Sequence, residues 1–352
     1  MKTNRANLLA VLQAVKPGLA NREILEQTTS FIFTGGQVLT YNDEVCCRHP
    51  LLPGLELEGA VQAKEMFALL NKMTDEEIEI ETTDKELKVR GSKTTAGIKL
   101  EIATSVDEVL QVLGDPKDWA PLPEKFLAGL EFCQVSTGRD MTDPLLTCVC
   151  IDDRFVLSSD KRRITRFDMT CEGVQDLGLA TGEQMLIPAT SAKALCDYPV
   201  VEFDRTRGWL HFRTASGVIF SCRDVEGQWP AEKSSAILDG TKGEAVKLPG
   251  GLSAALERAG IFSASETKKT GVGDRVKVSL SDGQLVVRGE GEAGWLEEKS
   301  RVRYKGPAFD FDVSSGFLSA ILAHSGEMMV GENLLKFEGP DFVHVVACMA
   351  SR

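Results

Sequence analysis

FDFDVSSGFLSAILAHS, residues 309–325, is the stretch that decides the fold of this chain. Its first five residues alternate apolar and acidic side chains, which is typical of a half-buried β-strand. Ser314 then offers a helix N-cap, and apolar residues within 318–322 form the buried stripe of a short amphipathic helix. Three further alternating runs, separated by turn residues, follow between 328 and 345. The stretch therefore predicts one strand, one helix and a three-stranded meander.

The same pattern occurs twice more. Residues 185–196 read MLIPATSAKALC and align without a gap on residues 311–322, and residues 55–70 repeat the pattern with one extra residue. Three copies more than a hundred residues apart predict three similar domains of about 115 residues each, which is an ordinary domain size. The predicted domains are residues 1–117, 118–230 and 231–352.

Each predicted domain has an α+β composition. A further amphipathic helix opens each domain, the first of them carrying Leu8, Val11 and Leu12, so each domain consists of two halves of one helix and several strands. We expect antiparallel sheets with all helices packed on one side. The stretches 103–119 and from Trp229 onward contain the turn residues of two junctions.

The charge pattern limits the function classes. The chain of 352 residues has a formal net charge of −12, which excludes a uniformly basic nucleic-acid-binding protein but leaves room for a local basic surface. The predicted helices carry somewhat more basic than acidic residues, against the trend of the whole chain. The densest basic cluster, residues 161–163, is compatible with a solvated turn, a phosphate contact or the rim of a peptide-binding cleft.

The sequence gives little support for an enzyme. It has no Ser/His/Asp pattern, no HExxH, no phosphate-binding loop and no dinucleotide-binding glycine turn, and its four histidines are scattered. None of its nine cysteines has zinc-site spacing, so no metal and no cofactor is expected. Cys148 and Cys150 share a strand face, where reduced core thiols are the expected state and a redox pair is the alternative. We expect a cytoplasmic protein without a membrane span or signal peptide.

Over nearly its whole length the chain resembles the bacterial-type DNA polymerase sliding clamps, the beta subunits. The resemblance rests on the triple repeat and on LERAGIFSAS (256–265), FDVSSGFLSAILAH (311–324) and VHVVACMASR (343–352). It implies the DNA clamp fold, with three similar domains and a head-to-tail homodimer that closes into a ring. Helices would line the hole, and the sheets would lie outside. The chain departs from the family pattern at the client pocket, and these differences are compatible with a divergent phage or plasmid member of the family.

The resemblance also implies roles for particular residues. Arg22 corresponds to a loop residue that contacts double-stranded DNA, and Ile261 and Phe262 correspond to an apolar subunit-contact pair. Further candidates for DNA contact are the helix-associated cations Lys64, Lys125, Lys193 and Arg258.

The family's client pocket takes a short apolar peptide from the polymerase or the clamp loader. The corresponding positions in this chain are Leu146, Ser159, Arg162, Arg163, Ile164, Trp229, Pro230, Val345, Val346 and Met349. The chain departs from the family here, because residues 159–164 read SDKRRI where Thr-Asp-Gly-His-Arg-Leu is common, and the usual Met-Pro-Met-Arg-Leu ending is missing. The expected function is a non-catalytic processivity factor. The alternatives are a clamp-fold scaffold for repair proteins and an enzyme that uses the Cys148 and Cys150 face.

Overall fold

The computed structural model describes residues 1–23, 25–104, 106–171, 173, 176–180, 182–270 and 275–348, the side chains of 264–270 excepted. The α-helices among these residues are α1 (Arg5–Ala14), α2 (Ala63–Lys72), α3 (Val106–Leu113), α4 (Phe126–Gln134), α5 (Ala189–Leu195), α6 (Ala231–Gly240), α7 (Leu252–Thr270) and α8 (Ser315–Leu322).

The β-strands account for most of the remaining ordered backbone. In chain order they are β1 (Lys2–Asn4), β2 (Ser30–Thr34), β3 (Gln37–Tyr41), β4 (Val45–Pro50), β5 (Gly59–Gln62), β6 (Glu77–Thr82), β7 (Glu86–Arg90), β8 (Thr95–Glu101), β9 (Ala120–Pro121), β10 (Cys148–Asp152), β11 (Phe155–Ser159), β12 (Arg163–Asp168), β13 (Met185–Pro188), β14 (Val200–Thr206), β15 (Trp209–Thr214), β16 (Ile219–Arg223), β17 (Glu244–Lys247), β18 (Arg275–Ser281), β19 (Gln284–Gly291), β20 (Gly294–Arg301), β21 (Phe309–Ser314), β22 (Glu327–Val330), β23 (Leu334–Glu338) and β24 (Phe342–Ala347).

The repeated strand-helix junction predicted from the sequence is confirmed. The strand-helix pairs β5–α2, β13–α5 and β21–α8 each join without a loop, and a three-stranded meander follows each pair. Gln62, Pro188 and Ser314 occupy the N-cap positions with ψ between 121° and 137°, so in each copy an extended residue leads directly into the helix. The Ser314 hydroxyl accepts a hydrogen bond from the backbone N–H of Phe317 at 3.4 Å, which satisfies a free donor of the first turn.

The chain divides into two compact units. Unit 1 contains residues 1–131 and 171–227, and unit 2 contains residues 132–170 and 228–352. This division cuts through the second predicted domain because β4 pairs with β16 and β12 pairs with β24, so each sheet continues across a predicted boundary. The boundaries at 117 and 230 therefore stay a prediction.

Unit 1 is built on one long antiparallel sheet. Its strand order is β1-β6-β7-β8-β5-β2-β3-β4-β16-β15-β14-β9. On one face Phe31 of β2 meets the ring of Phe67 of α2 edge-to-face, with the centroids 4.9 Å apart. The neighbouring residue Ile32 points to the opposite face, since side chains alternate along a strand.

Helix α3 covers that opposite face. Val106 and Leu113 are buried in one cluster with Ile32 of β2 and Trp209 of β15, and Val109 packs against the same cluster. The expectation that all helices lie on one side of the sheet is therefore wrong for α3. The turn residues of this stretch had predicted a junction only, without a helix.

Unit 2 contains two sheets. In one, seven strands pair in the order β10-β11-β12-β24-β23-β22-β17, and in the other, four strands pair in the order β20-β19-β18-β21. Helices α7 and α8 contact each other, and α7 also packs on β18, β19 and β20. Helix α6 packs against β12 and β24, where it occupies the second predicted junction.

Candidate functional site

A hollow of about 690 Å³ in unit 1 gathers two of the predicted DNA contacts. Arg22 and Lys64 both line it, together with Lys16 and the ring of Phe67. All three cations are exposed, and the Lys16 Nζ atom lies 6.0 Å from the centroid of the Phe67 ring. The arrangement suits a polyanionic backbone, because three exposed cations line one concave surface, against the two carboxylates of Glu23 and Glu65. Lys16 was not among the predicted DNA contacts, and it begins the short turn that follows α1.

Local geometry places these cations. Lys16 and Gly18 bound a short 3₁₀ turn that follows α1, with Pro17 in its first turn. A Cβ atom on residue 18 would clash with Thr40 of β3, so only glycine lets this turn approach the sheet so closely. Lys64 is the second residue of α2 and faces solvent from its first turn.

The other predicted DNA contacts lie elsewhere. Lys193 is exposed in the last turn of α5, and Lys125 is half-buried immediately before α4. Arg258 is exposed on α7, but its guanidinium makes two charge-assisted hydrogen bonds to Glu298 of β20, at 2.6 and 2.8 Å. These bonds raise the pKa of Arg258 and lower that of Glu298. Arg258 therefore stays charged but is already paired with a carboxylate, and the sequence did not predict this pairing.

Five of the predicted client-pocket residues lie on neighbouring strands within unit 2. Ser159 ends β11, Arg163 and Ile164 begin β12, and Val345 and Val346 lie directly opposite them on β24. Both valines are buried, whereas Ile164 is half-buried. Because side chains alternate along a strand, Ile164 and Val345 share one face of the paired strands, and Val346 lies on the opposite face with Arg163.

The flanking positions of the pocket differ in exposure. Arg162 and Pro230 are exposed, Leu146 is half-buried, and Trp229 is buried at the start of the segment that leads into α6. Met349 lies outside the described residues. Polar groups at the rim and apolar groups at the floor fit the short apolar peptide implied by the resemblance.

Arg163 anchors the turn before β12 and does not reach out as a ligand-binding cation. Its Nε atom donates to the Asp160 carboxylate at 2.9 Å, its Nη2 atom donates to the Val135 carbonyl, and its guanidinium carbon stands 3.8 Å from the centroid of the Phe317 ring. The side chain is 9% exposed, and burial lowers the pKa of Arg163. In the basic cluster 161–163, Arg162 is exposed, and Lys161 pairs with Asp143 at 2.9 Å.

A buried polar network lies behind the pocket floor. Thr165 donates its hydroxyl hydrogen to Ser136 at 2.7 Å and lies 2.7 Å from the Nδ1 atom of His344. Because the Thr165 hydrogen is already used, Nδ1 of His344 is the donor in the second bond. Burial, with the nearby charge of Arg163, lowers the pKa of His344 to about 3, so the imidazole is neutral at physiological pH.

The predicted subunit-contact pair lies at an exposed corner of unit 2. Ile261 of α7 is 69% exposed, and the ring of Phe262 packs close to Gly294 at the start of β20. The next residue, Trp295, is 61% exposed. Strand β20 pairs with β19 on one edge, and its other edge has no strand partner in the part of the chain that the structure describes. A large exposed apolar patch beside a free strand edge is typical of a protein interface.

The structure offers no reactive centre at the cysteine pair. The side chains of Cys148 and Cys150 are 1% and 0% exposed, so a substrate could not reach either thiol. Within the described ranges, no three His, Cys, Asp or Glu side chains are placed to hold a metal ion. No helix among the described residues combines the length and apolarity needed to cross a bilayer.

The architecture is that of a DNA clamp. Solved structures of DNA polymerase sliding clamps match the chain over its full length, and these matches confirm the predicted fold. A sliding clamp (DNA polymerase III subunit beta) from Bartonella birtlesii matches with a TM-score of 0.85 and 16% identity, covering 100% of this chain and 99% of that one.

Two further structures agree. The DNA polymerase III beta chain from Streptococcus pneumoniae has a TM-score of 0.83 at 14% identity, with 99% of each chain covered. The DNA polymerase sliding clamp from Pseudomonas aeruginosa has a TM-score of 0.80 at 14% identity, covering 100% of this chain and 99% of that chain. No family model matches the sequence, and no curated protein sequence matches it.

Proposed function

We propose that the protein is a DNA sliding clamp, a non-catalytic processivity factor that encircles duplex DNA and tethers a polymerase to it. The observation that carries this proposal is the correspondence of the whole chain with sliding clamps at TM-scores of 0.80 to 0.85. Two copies would associate head to tail, so that unlike ends meet and the ring closes. The exposed corner formed by Ile261, Phe262 and Trp295 supports such an interface.

The cations would contact DNA without reading its sequence. Lys16, Arg22 and Lys64 supply a concave basic surface, and the exposed Lys193 and half-buried Lys125 extend the set. Contacts to phosphate carry no sequence information, so every position along the duplex is equivalent and the protein can slide. The acidic remainder of the molecule, with a formal net charge of −12 overall, would disfavour DNA on other surfaces.

The floor formed by Ile164 and Val345 would take an apolar peptide of the polymerase or of the clamp loader, with Val346 packed behind it. The basic side chain of Arg162 and the exposed ring of Pro230 would border that peptide. The clamp would work in the cytoplasm and would need neither a metal nor a cofactor.

Topological tethering tests the proposal directly. The protein is loaded by its clamp loader on nicked circular DNA and passed through a sizing column, before and after the circle is cut once. We expect the loaded protein to be retained on the intact circle and to be lost after the circle is cut. It should stay on the cut DNA when bound protein blocks both new ends. Equal retention on open linear DNA would overturn the proposal. Stimulation of the cognate polymerase then separates a replication clamp from a repair scaffold.

A further inference from the structure

A second apolar groove lies in unit 1, away from the predicted client pocket. It encloses about 630 Å³ between α3 and the turn that joins β3 to β4. Its walls include Leu25 and Val112, which are 54% and 59% exposed, and Leu113 and Trp209 lie at its floor. Two large aliphatic side chains left in solvent in the lining of one groove are typical of a docking site.

The charges at this groove are mainly negative. The exposed carboxylates of Glu26, Asp43 and Glu108 line it, and Arg223 is the basic residue among its lining residues. Arg223 is held on the protein itself, because its guanidinium carbon lies 4.2 Å from the centroid of the Trp209 ring and its Nε atom donates to the Asp43 carbonyl at 2.9 Å. A ligand that carries positive charge is therefore favoured.

The floor also presents an unused hydrogen-bond donor. Trp209 is 3% exposed, and its indole Nε1 has no acceptor among the residues that the structure describes. A buried indole N–H usually has a partner, because leaving it unpaired costs free energy. Because the Nε1 atom is buried, a carbonyl oxygen of a bound peptide would reach it only after side chains of the floor shift.

The repeat explains why a groove occurs at this position. The β3-turn-β4 segment pairs with β16 in unit 1 as β11-turn-β12 pairs with β24 in unit 2, and the amides of Arg223 and Ala347 donate to equivalent turn carbonyls, of Glu44 at 3.0 Å and of Arg162 at 2.7 Å. The strand pairing is equivalent at both sites, although Lys161 has a φ of 71° and the corresponding residue Asp43 has no positive φ. The turn in unit 1 carries Asp43 and Glu44 where the turn in unit 2 carries basic residues, so the charge is reversed.

We infer that this groove binds a short linear peptide of a partner protein, with one or two bulky apolar side chains flanked by lysine or arginine. Its Leu25 and Val112 walls would enclose the apolar side chains, and Asp43 and Glu108 would pair with the flanking cations. The groove would add a second class of client, selected by opposite charge. It does not depend on the DNA-encircling role, because every lining residue belongs to unit 1 alone.

Fluorescence polarisation with two synthetic peptides tests this inference. Both carry a central Leu-Phe pair, flanked by lysines in one peptide and by glutamates in the other. The full-length protein is titrated against each, and we expect the lysine peptide to bind with a Kd below about 100 μM and at least about tenfold more tightly than the glutamate peptide. No saturable binding of the lysine peptide in that range would overturn the inference.

Variants locate the peptide. Val112→Glu should raise the Kd about tenfold or more, since it removes an apolar contact, and Glu108→Lys should weaken the lysine peptide selectively. Ile102→Glu is the matched control, because Ile102 is an 82% exposed aliphatic residue of unit 1 that does not line this groove.

Equal effects of Val112→Glu and Ile102→Glu would overturn the assignment. If the wild-type protein bound no peptide and Val112→Glu changed the oligomer mass, a second copy of the chain would be the occupant of the groove. This outcome would also overturn the inference. Retention on circular DNA should be unchanged in Val112→Glu, so failure here and failure of the clamp proposal are distinguishable.

Discussion

Replacing Ile261 by serine should open the proposed ring without unfolding the protomer. Ile261 is 69% exposed on α7, so its side chain contributes little to the core of its own unit. A head-to-tail dimer has two equivalent interfaces, and the Ile261 side chain of one protomer would be buried at each of them. The substitution therefore removes apolar contact area almost only from the assembled state.

The size of the effect follows from that exposure. Full burial of an isoleucine side chain is worth about 1.5–3 kcal/mol, so burying the exposed two-thirds is worth about 1–2 kcal/mol at each interface. The two interfaces together would then lose about 2–4 kcal/mol, which raises the dimer Kd about 30- to 1,000-fold. Phe262 is partly packed against its own unit and would give a less clear result.

Sedimentation velocity over a dilution series measures this Kd. Val201→Ser is the matched control, because Val201 is an exposed β-branched residue, at 44%, on β14 of unit 1 and distant in sequence from the proposed interface. Thermal unfolding of both variants should match that of the wild type. A variant Kd within threefold of the wild-type value would refute the assignment of Ile261, and a wild-type protein that stays monomeric at high concentration would refute the ring.

Three further predictions concern single sites. Arg22→Glu with Lys64→Glu should weaken retention on circular DNA at low salt while the dimer persists, and unchanged retention would reject the hollow as a DNA contact. Arg163→Ala should lower the free energy of unfolding by about 1.5–3 kcal/mol in urea denaturation, since it removes the hydrogen bonds of a buried guanidinium to the Asp160 carboxylate and the Val135 carbonyl, and a loss below about 1 kcal/mol would contradict this anchor. Because burial lowers the pKa of His211 and His344 to about 4 and about 3, the unfolded chain binds more protons below pH 6.5. The free energy of unfolding should therefore be lower at about pH 5 than at about pH 7, by about 2 kcal/mol for each histidine, and equal stability at both pH values would refute their neutral burial.

The regular part of the fold could be predicted from local patterns. The alternating apolar and acidic residues before Ser314 and the apolar stripe at helical spacing after it predicted one strand-helix junction. The repetition of this pattern in the sequence predicted the other two junctions. Helix α3 was missed although Val106, Val109, Leu110 and Leu113 have helical spacing. The turn residues around Gly114 and Pro116 outweighed that spacing when the stretch was interpreted as a junction.

The electrostatic partners could not be predicted. Arg258 meets Glu298, forty residues later, only because the register of β20 on β19 and the packing of α7 on that sheet bring the two side chains together. Similarly, the stacking of Arg163 on Phe317 joins distant segments, so no local pattern distinguishes this buried anchor from a solvated cation. Residue type and spacing predicted where the candidate cations lie in the fold. Tertiary contacts decide which of these cations remain available to bind a ligand.

The pairing of Arg258 changes how the proposed DNA contacts should be weighted. Its two hydrogen bonds to Glu298 would have to break before the guanidinium could bind a phosphate fully, whereas Lys16, Arg22 and Lys64 already face an open hollow. If those three cations of each of two protomers met phosphates, the logarithm of the binding constant would fall with the logarithm of salt concentration with a slope of about −5. Arg258→Gln should leave this slope nearly unchanged, and Arg22→Gln should reduce its magnitude by about 2 in a dimer. A larger change from Arg258→Gln than from Arg22→Gln would show that the ion pair opens on DNA, and that the hollow in unit 1 is not the main contact.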